Sequence, residues 1–411
     1  MKYTGLNPAE ILLPNTSDMT AWSVVACDQF TSELDYWQSL EEQVKGKPTT
    51  LDLILPEIYL DKDTDARIAK INNNIETYLS NGAFKTLGKG FILTVRKTPF
   101  VERRIGLIGA VDLEEYQYSK KSEALIRSTE GTIEERIPPR LKIRKDASVE
   151  FPHIMILFDD EKREILEKLY ENRANLQKVY DFELNMGGGH IEGYYVSDYQ
   201  AVLEGFSNLL DKERLVKKYG AEDKFAFAVG DGNHSLATAK AHWNLVKETL
   251  LGKEKESHPA RYALAEFVNI YDEGIYFEPI FRFVSGVDRE KFVKELALID
   301  GGEMGVYAGD GKGAIWQSGE NNLPQGISAV DAFIKAYIEK NGGVVDYVHG
   351  EENLFKLVDK DKDTVGILFK KLDKQDLFKY VSQKGAFPRK TFSMGENVEK
   401  RYYLEGRKIK C

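Results

Sequence analysis

The chain has 411 residues, of which 42% are hydrophobic and 30% charged, with a formal net charge of -9. This is the composition of a globular protein with a sizeable core divided into two or three units, and the acidic balance argues against a broad nucleic-acid footprint, which needs clustered positive charge. Two cysteines, Cys27 and Cys411, exclude a disulfide framework and a four-thiolate zinc site, and no run of 18 apolar residues could span a membrane, so a cytoplasmic protein without a membrane span is expected.

Residues 22–26 are an apolar run that predicts a strand delivering Asp28 to a loop; equally, Asp28 could cap a helix over residues 32–44. Cys27 has no activating neighbour in sequence and is expected to be buried rather than reactive. Ile68, Ile71, Ile75 and Leu79 recur at helical spacing, which predicts a packing helix over residues 65–79. Residues 91–97 and 104–113 flank Thr98-Pro99-Phe100 and read as two paired strands.

In residues 124–145, Glu130 lies among hydroxyls and a glycine, where a carboxylate could sit close to a reacting hydroxyl. Arg127, Arg136 and Arg140 bring guanidinium groups suited to phosphate oxygens. The plainer reading is a helix start, with Thr132 and Glu135 as its capping box and the charges as its solvated face. Residues 151–158 predict a buried strand in which His153 is a core or strand-end histidine. A helix is expected over residues 160–179, then a turn at Gly187-Gly188-Gly189-His190, a strand over 191–196 and a helix over 199–218.

The centre of the chain is residues 225–240. An apolar run of strand length leads into Gly230-Asp231-Gly232-Asn233, and apolar residues then recur at Leu236, Ala239, Trp243, Val246 and Leu250. A strand, a tight loop and a helix in that order leave the first helical amides free for an anion. Asp231 is then available to a metal or a hydroxyl, and His234 to a phosphate oxygen. Alternatively Asp-Gly is an ordinary turn, Asn233 or Ser235 caps the helix and His234 packs nearby.

Residues 263–270 predict a strand returning to the same sheet, with Arg261 before it facing either a pocket or the surface. Beyond residue 286 the pattern changes: a linker over 284–288, a helix over 291–298, a hairpin over 306–316, a helix over 327–340 and a strand-rich piece over 354–372. In the tail, Arg389 and Lys390 stand beside Pro388 and Thr391 as an anion clamp or a basic turn. The expected organisation is a main domain over 1–285 carrying the Asp231 loop, a smaller α/β subdomain over 286–380, and a tail over 381–411 that returns toward the site.

Asp231-Gly232-Asn233-His234-Ser235, with Ala237-Thr238-Ala239, resembles the Asp-Gly-His-His-Arg box of the domain of unknown function 1015 family. The likeness extends to Asp28-Gln29-Phe30, the stretch from Arg127 to Thr132, His258-Pro259-Ala260-Arg261-Tyr262, and the stretch from Pro388 to Phe392, and so spans nearly the whole chain. More distantly, the Asp-Gly-x-His box with an upstream Glu motif is similar to the ParB, sulfiredoxin and free serine kinase superfamily, whose loops bind nucleotide phosphates. The resemblance implies an α/β (α+β) fold, with mixed sheets, flanking helices and a ParB/sulfiredoxin-like nucleotide-binding core. It favours site roles for Asp28, Arg261, Arg389 and Lys390, and catalysis by Glu130. In two places this chain departs from the family: Ser235 stands where relatives place Arg, and Ile280-Phe281-Arg282 where many carry His-Arg.

The function expected is nucleotide-dependent phosphoryl transfer to a small hydroxylated metabolite, with L-serine favoured through the serine-kinase resemblance. Glu130, Asp231 and His234 would be catalytic, with Mg²⁺ at Asp231. Gly232, Asn233, Ser235, Arg127, Arg389 and Lys390 would hold ATP or ADP, and Asp28, Thr132 and Arg261 the acceptor. The site is expected where the Asp231 loop, the Glu130 stretch and the Arg389 segment converge. Its partners would be the small-molecule substrate and the nucleotide, with no nucleic acid and a homodimer allowed. The alternatives are a nucleotide-binding regulatory module without catalysis and a metal-dependent hydrolase using Asp28, Asp231 and His234.

Overall fold

The computed structural model describes residues 1–220 and 223–411. The architecture is α/β with mixed sheets, and the chain divides into two compact units. The first comprises Met1–Ile275, Ser382–Gly385 and Glu396–Cys411; the second comprises Tyr276–Val381 and Ala386–Gly395.

The first unit is built on an 11-stranded sheet. Its central strands, Arg104–Asp112 and Tyr262–Asn269, pair antiparallel and are buried at nearly every position, which explains why they read as continuous apolar runs with little alternation. Tyr262–Asn269 also pairs, in parallel, with Met155–Phe158. Phe227–Asp231 lies between Met155–Phe158 and Ile126–Ser128, antiparallel to the first and parallel to the second. On the far side, Phe84–Lys97, Gly189–Val196 and Gln177–Leu184 extend the sheet by antiparallel pairing.

The helix Asn233–Glu248 buries Leu236, Ala239 and Trp243, one face at helical spacing. Gly232 immediately before it has φ 77°, and a Cβ there would lie 3.0 Å from the Ile154 Cα. Both the left-handed backbone and the close approach therefore call for glycine at the junction.

Several stretches differ from the sequence reading. Residues 22–26 do not form a strand: Asp18 caps the short helix Met19–Trp22 by accepting the Ala21 N–H at 3.0 Å, and only Val25 makes an isolated bridge, to Arg401. Within 160–179 the helix runs only over Leu166–Glu171, and Gln177 opens a strand. There Tyr180 and Leu184 face inward at an even spacing, a period of two that charged helix formers mask in sequence. Residues 354–372 divide into the helix Glu351–Val358 and the strand Thr364–Phe369.

The second unit has a 6-stranded sheet in which Phe277–Ser285 pairs with Val344–His349, Thr364–Phe369 and Phe392–Met394. Val284 and Ser285, expected in a linker, close that strand instead. Its core packs Val284, Phe292, Ile327, Ile334 and Ile367. Arg282, fully buried, donates to both Asp331 oxygens at 2.8 Å and to the backbone carbonyls of Ile280 and Lys390. No helix among the described residues is long and apolar enough to cross a membrane.

Candidate functional site

The site is assembled in the first unit around the start of the Asn233–Glu248 helix. Asp231 ends its strand and accepts the Gly232 N–H on Oδ1 at 2.9 Å, which fixes the carboxylate at the turn. Its other oxygen lies 3.5 Å from Lys400 Nζ. Asn233, the first helical residue, is buried, and among the described residues its Oδ1 has no hydrogen-bond partner.

The Glu130 stretch is held against the same corner. Ile126–Ser128 runs parallel to Phe227–Val229, and Thr129 Oγ1 donates to the Val229 carbonyl at 2.6 Å. The Ile133 N–H donates to His234 Nε2 at 3.3 Å, so the first helical turn grips the segment that follows Glu130. Thr132 Oγ1 is buried with no hydrogen bond among the described residues.

Asp28 arrives from the opposite side. Its carboxylate accepts Gln29 Nε2 at 2.8 Å and lies 3.5 Å from the Nε2 of His153, whose side chain is 3% exposed. Burial alone would push the Asp28 carboxyl up, but His153, then Gln29 and Lys400, outweigh it and hold it well below the usual carboxylate range. Burial likewise pulls His153 down, while Asp28, Asp231 and Glu57 raise it above its ordinary value overall.

Lys400 joins the two halves. Burial would lower its ammonium, yet the charges of Asp231, Asp28 and Glu130 more than compensate and keep it above its ordinary value. It is placed by backbone pairing: Ala26 N–H donates to the Lys400 carbonyl at 2.8 Å, and Tyr402 N–H to the Val24 carbonyl at 3.0 Å. Three acids and two bases thus share one corner.

Lys400 and His153 are the residues that sequence reasoning missed as site members. Lys400 lies in a charged run that reads as surface, and backbone pairing with residues 24–26 places it at this corner, half-buried. No local signal marks it. His153 carried a weak one, a histidine inside an apolar run, but its partner Asp28 is remote in sequence.

Two expected phosphate or substrate ligands are struts. Arg127 donates NH1 to Asp223 Oδ2 at 2.9 Å and NH2 to the other oxygen, donates Nε to the Ala124 carbonyl at 2.8 Å, and lies over the Phe225 ring. Arg261 makes a bidentate pair with Asp112 at 2.9 and 2.7 Å. Each guanidinium is tied to a carboxylate, a pairing that braces the fold. Arg389 and Lys390 belong to the second unit. Gly232 and Ser235 keep their places, at the turn and in the first helical turn.

A cavity of about 160 Å³ adjoins this corner, with Ser235, Thr238, His153, Cys27 and Tyr402 among its lining. Burial and the neighbouring Asp28 push the Cys27 thiol up to about 12, so it is a protonated wall residue. His190 lies on a hairpin with its ring nitrogens 2.9 Å from Asp181 and from Glu183. Asp181, His190 and Glu192 could together offer three metal ligands, but Lys178 Nζ already sits 2.6 Å from Asp181.

Among solved structures the chain is similar to a mutant of free serine kinase in complex with AMP (8% identity, 73% of this chain and 90% of that one, TM-score 0.40). It is also similar to a conserved hypothetical protein from Pyrococcus furiosus (10% identity, 73% and 94%, TM-score 0.36). A third is SbnI with C-terminal truncation from Staphylococcus aureus (10% identity, 70% and 82%, TM-score 0.36). No curated protein matches. The model of the family described as "Protein of unknown function (DUF1015)" matches residues 6–375, nearly the full length, and the chain belongs to that family.

Proposed function

We propose that this protein transfers a phosphoryl group from a nucleotide, ATP or ADP, to the hydroxyl of a small metabolite in the cytoplasm, with L-serine the first acceptor to test. The observation that carries this reading is the meeting of Asp231, Lys400, Glu130 and the Asp28–His153 pair at a glycine-preceded helix start. Phosphoryl transfer asks mainly for positioning and for neutralisation of spreading negative charge.

In this reading the first amides of the Asn233–Glu248 helix and Lys400 face the phosphates. Lys400 supplies the cation that Arg would provide at position 235 in relatives, a place Arg127 cannot fill because Asp223 holds it. Glu130 accepts the proton of the acceptor hydroxyl as its oxygen bonds to phosphorus and the bond to the nucleotide leaving group breaks. His234, through Ile133, positions that segment. Arg389 and Lys390 enter as further residues to test.

Mg²⁺ fits the donor chemistry, since it takes one or two carboxylates and completes its shell with phosphate and water; Asp231 would hold it, and it would add charge neutralisation. The metal-hydrolase alternative is weaker. Asp28, Asp231 and His234 do not form a three-donor group among the described residues.

Phosphorus NMR of the protein with Mg²⁺, each nucleotide and a panel of hydroxylated amino acids tests the proposal. A new phosphomonoester resonance that disappears in Asp231→Ala and Lys400→Met is expected. A product that persists in both variants would remove this corner from the reaction.

A further inference from the structure

The cavity beside the helix start is unlike the site it adjoins. Its walls are hydrocarbon, from Leu53, Leu55, Ile71, Ile143, Phe151 and Ile154, all within the first unit. The polar groups are Ser235 and Thr238 on the helix that begins at the Asp231 turn, His153 which pairs with Asp28, Cys27 and Tyr402, and two mutually paired sets, Arg140 with Glu57 and Arg144 with Glu150. The space, about 160 Å³, is open to solvent but comparable in volume to the roughly 150 Å³ that accommodates one benzene ring in an enclosed apolar cavity. L-Serine carries no apolar group to fill it.

We infer that the pocket binds an apolar group of the size of one six-membered ring, joined to the hydroxyl-bearing end of the acceptor. The lining argues against a nucleobase as occupant. A purine edge needs several hydrogen-bonding partners, whereas the charged groups here already face one another and, apart from Cys27, Ser235, Thr238 and Tyr402, the remaining wall is Leu, Ile, Val, Ala, Phe and Pro. Assigning the group to the acceptor rests on the phosphoryl-transfer reading; occupancy of the pocket by a ring does not.

The probe is benzyl alcohol, titrated into the full chain labelled at Ile and Leu methyls, without nucleotide. Saturable shifts confined to Leu53, Leu55, Ile71, Ile143 and Ile154 are expected, weakened by at least about tenfold in Ala147→Phe, which projects a ring into the space. Absent or scattered shifts in the wild type would overturn the inference whether or not that variant folds. Displacement of benzyl alcohol by adenosine would assign the pocket to the donor and overturn the acceptor assignment. With turnover established, 3-phenylserine should be phosphorylated more efficiently than L-serine. Efficiency favouring serine would likewise contradict the acceptor assignment, while failure of both as substrates with intact probe binding would fault only the phosphoryl-transfer reading.

Discussion

Two cations of the first unit, the buried Arg407 and the half-buried Lys400, come from nearby positions in the last stretch of chain, yet their surroundings differ in kind. Arg407 donates Nε to Glu150 at 3.0 Å and NH1 to the Pro259 carbonyl at 2.9 Å, while Glu150 also receives Arg144 and the Leu264 N–H. Lys400 stands 3.5 Å from Asp231, and Asp28 stands 3.5 Å from His153. The first cluster is closed, each charge met at hydrogen-bond distance. In the second, each of these opposite-charge pairs meets only at the long distance of 3.5 Å. Burial alone does not separate a strut from a site; closure of the contacts does.

The comparison can be broken most forcefully at Glu150. Glu150→Ala leaves Arg407 and Arg144 without their carboxylate and should cost about 3–5 kcal/mol, read by urea denaturation. A loss below about 1 kcal/mol would show that this cluster is no more structural than the other. Lys400→Met should do the reverse: turnover should fall by about 10²–10³-fold, the scale seen when a donor to developing charge is removed, with little change in the melting temperature.

A third test uses pH. Glu405, 6% exposed, accepts the Tyr180 hydroxyl at 2.6 Å, and burial pushes its carboxyl up to about 7. A carboxyl raised on folding contributes stability that is fully present below its unfolded value and is lost as pH rises through the folded one. Stability should therefore decline between about pH 4.5 and 7, by up to about 3 kcal/mol from this residue. Glu405→Gln should flatten the decline in melting temperature from pH 5 to 8, and an unchanged slope would exclude Glu405 as its source. The smallest effect is expected at Gly232→Ala, about 1–2 kcal/mol from the left-handed backbone, measured by the same denaturation.

The strand, turn and helix around Asp231 were legible because the apolar run, the glycine pair and the 3.6-residue period agree with one another. Asp28 and Glu130 on their own residues read equally as a cap and a surface acid, and it was the family resemblance that favoured a site role for each. The pairing of Arg127 and Arg261 with carboxylates was not legible, because a guanidinium suits an Asp as well as a phosphate, and Asp223 and Asp112 are remote in sequence. Lys400 was invisible for the converse reason, since its burial depends on backbone pairing with a segment near the other end of the chain. The strand Gln177–Leu184 was hidden by charged residues on its exposed face.

The most direct test is isothermal titration of Mg²⁺ with ADP into the wild type, Lys400→Met and Arg261→Lys. The account predicts saturable binding in the wild type, affinity at least about tenfold weaker in Lys400→Met, and no change in Arg261→Lys, whose pair with Asp112 braces the fold. Wild-type affinity in Lys400→Met, or no nucleotide binding by the wild type, would contradict it.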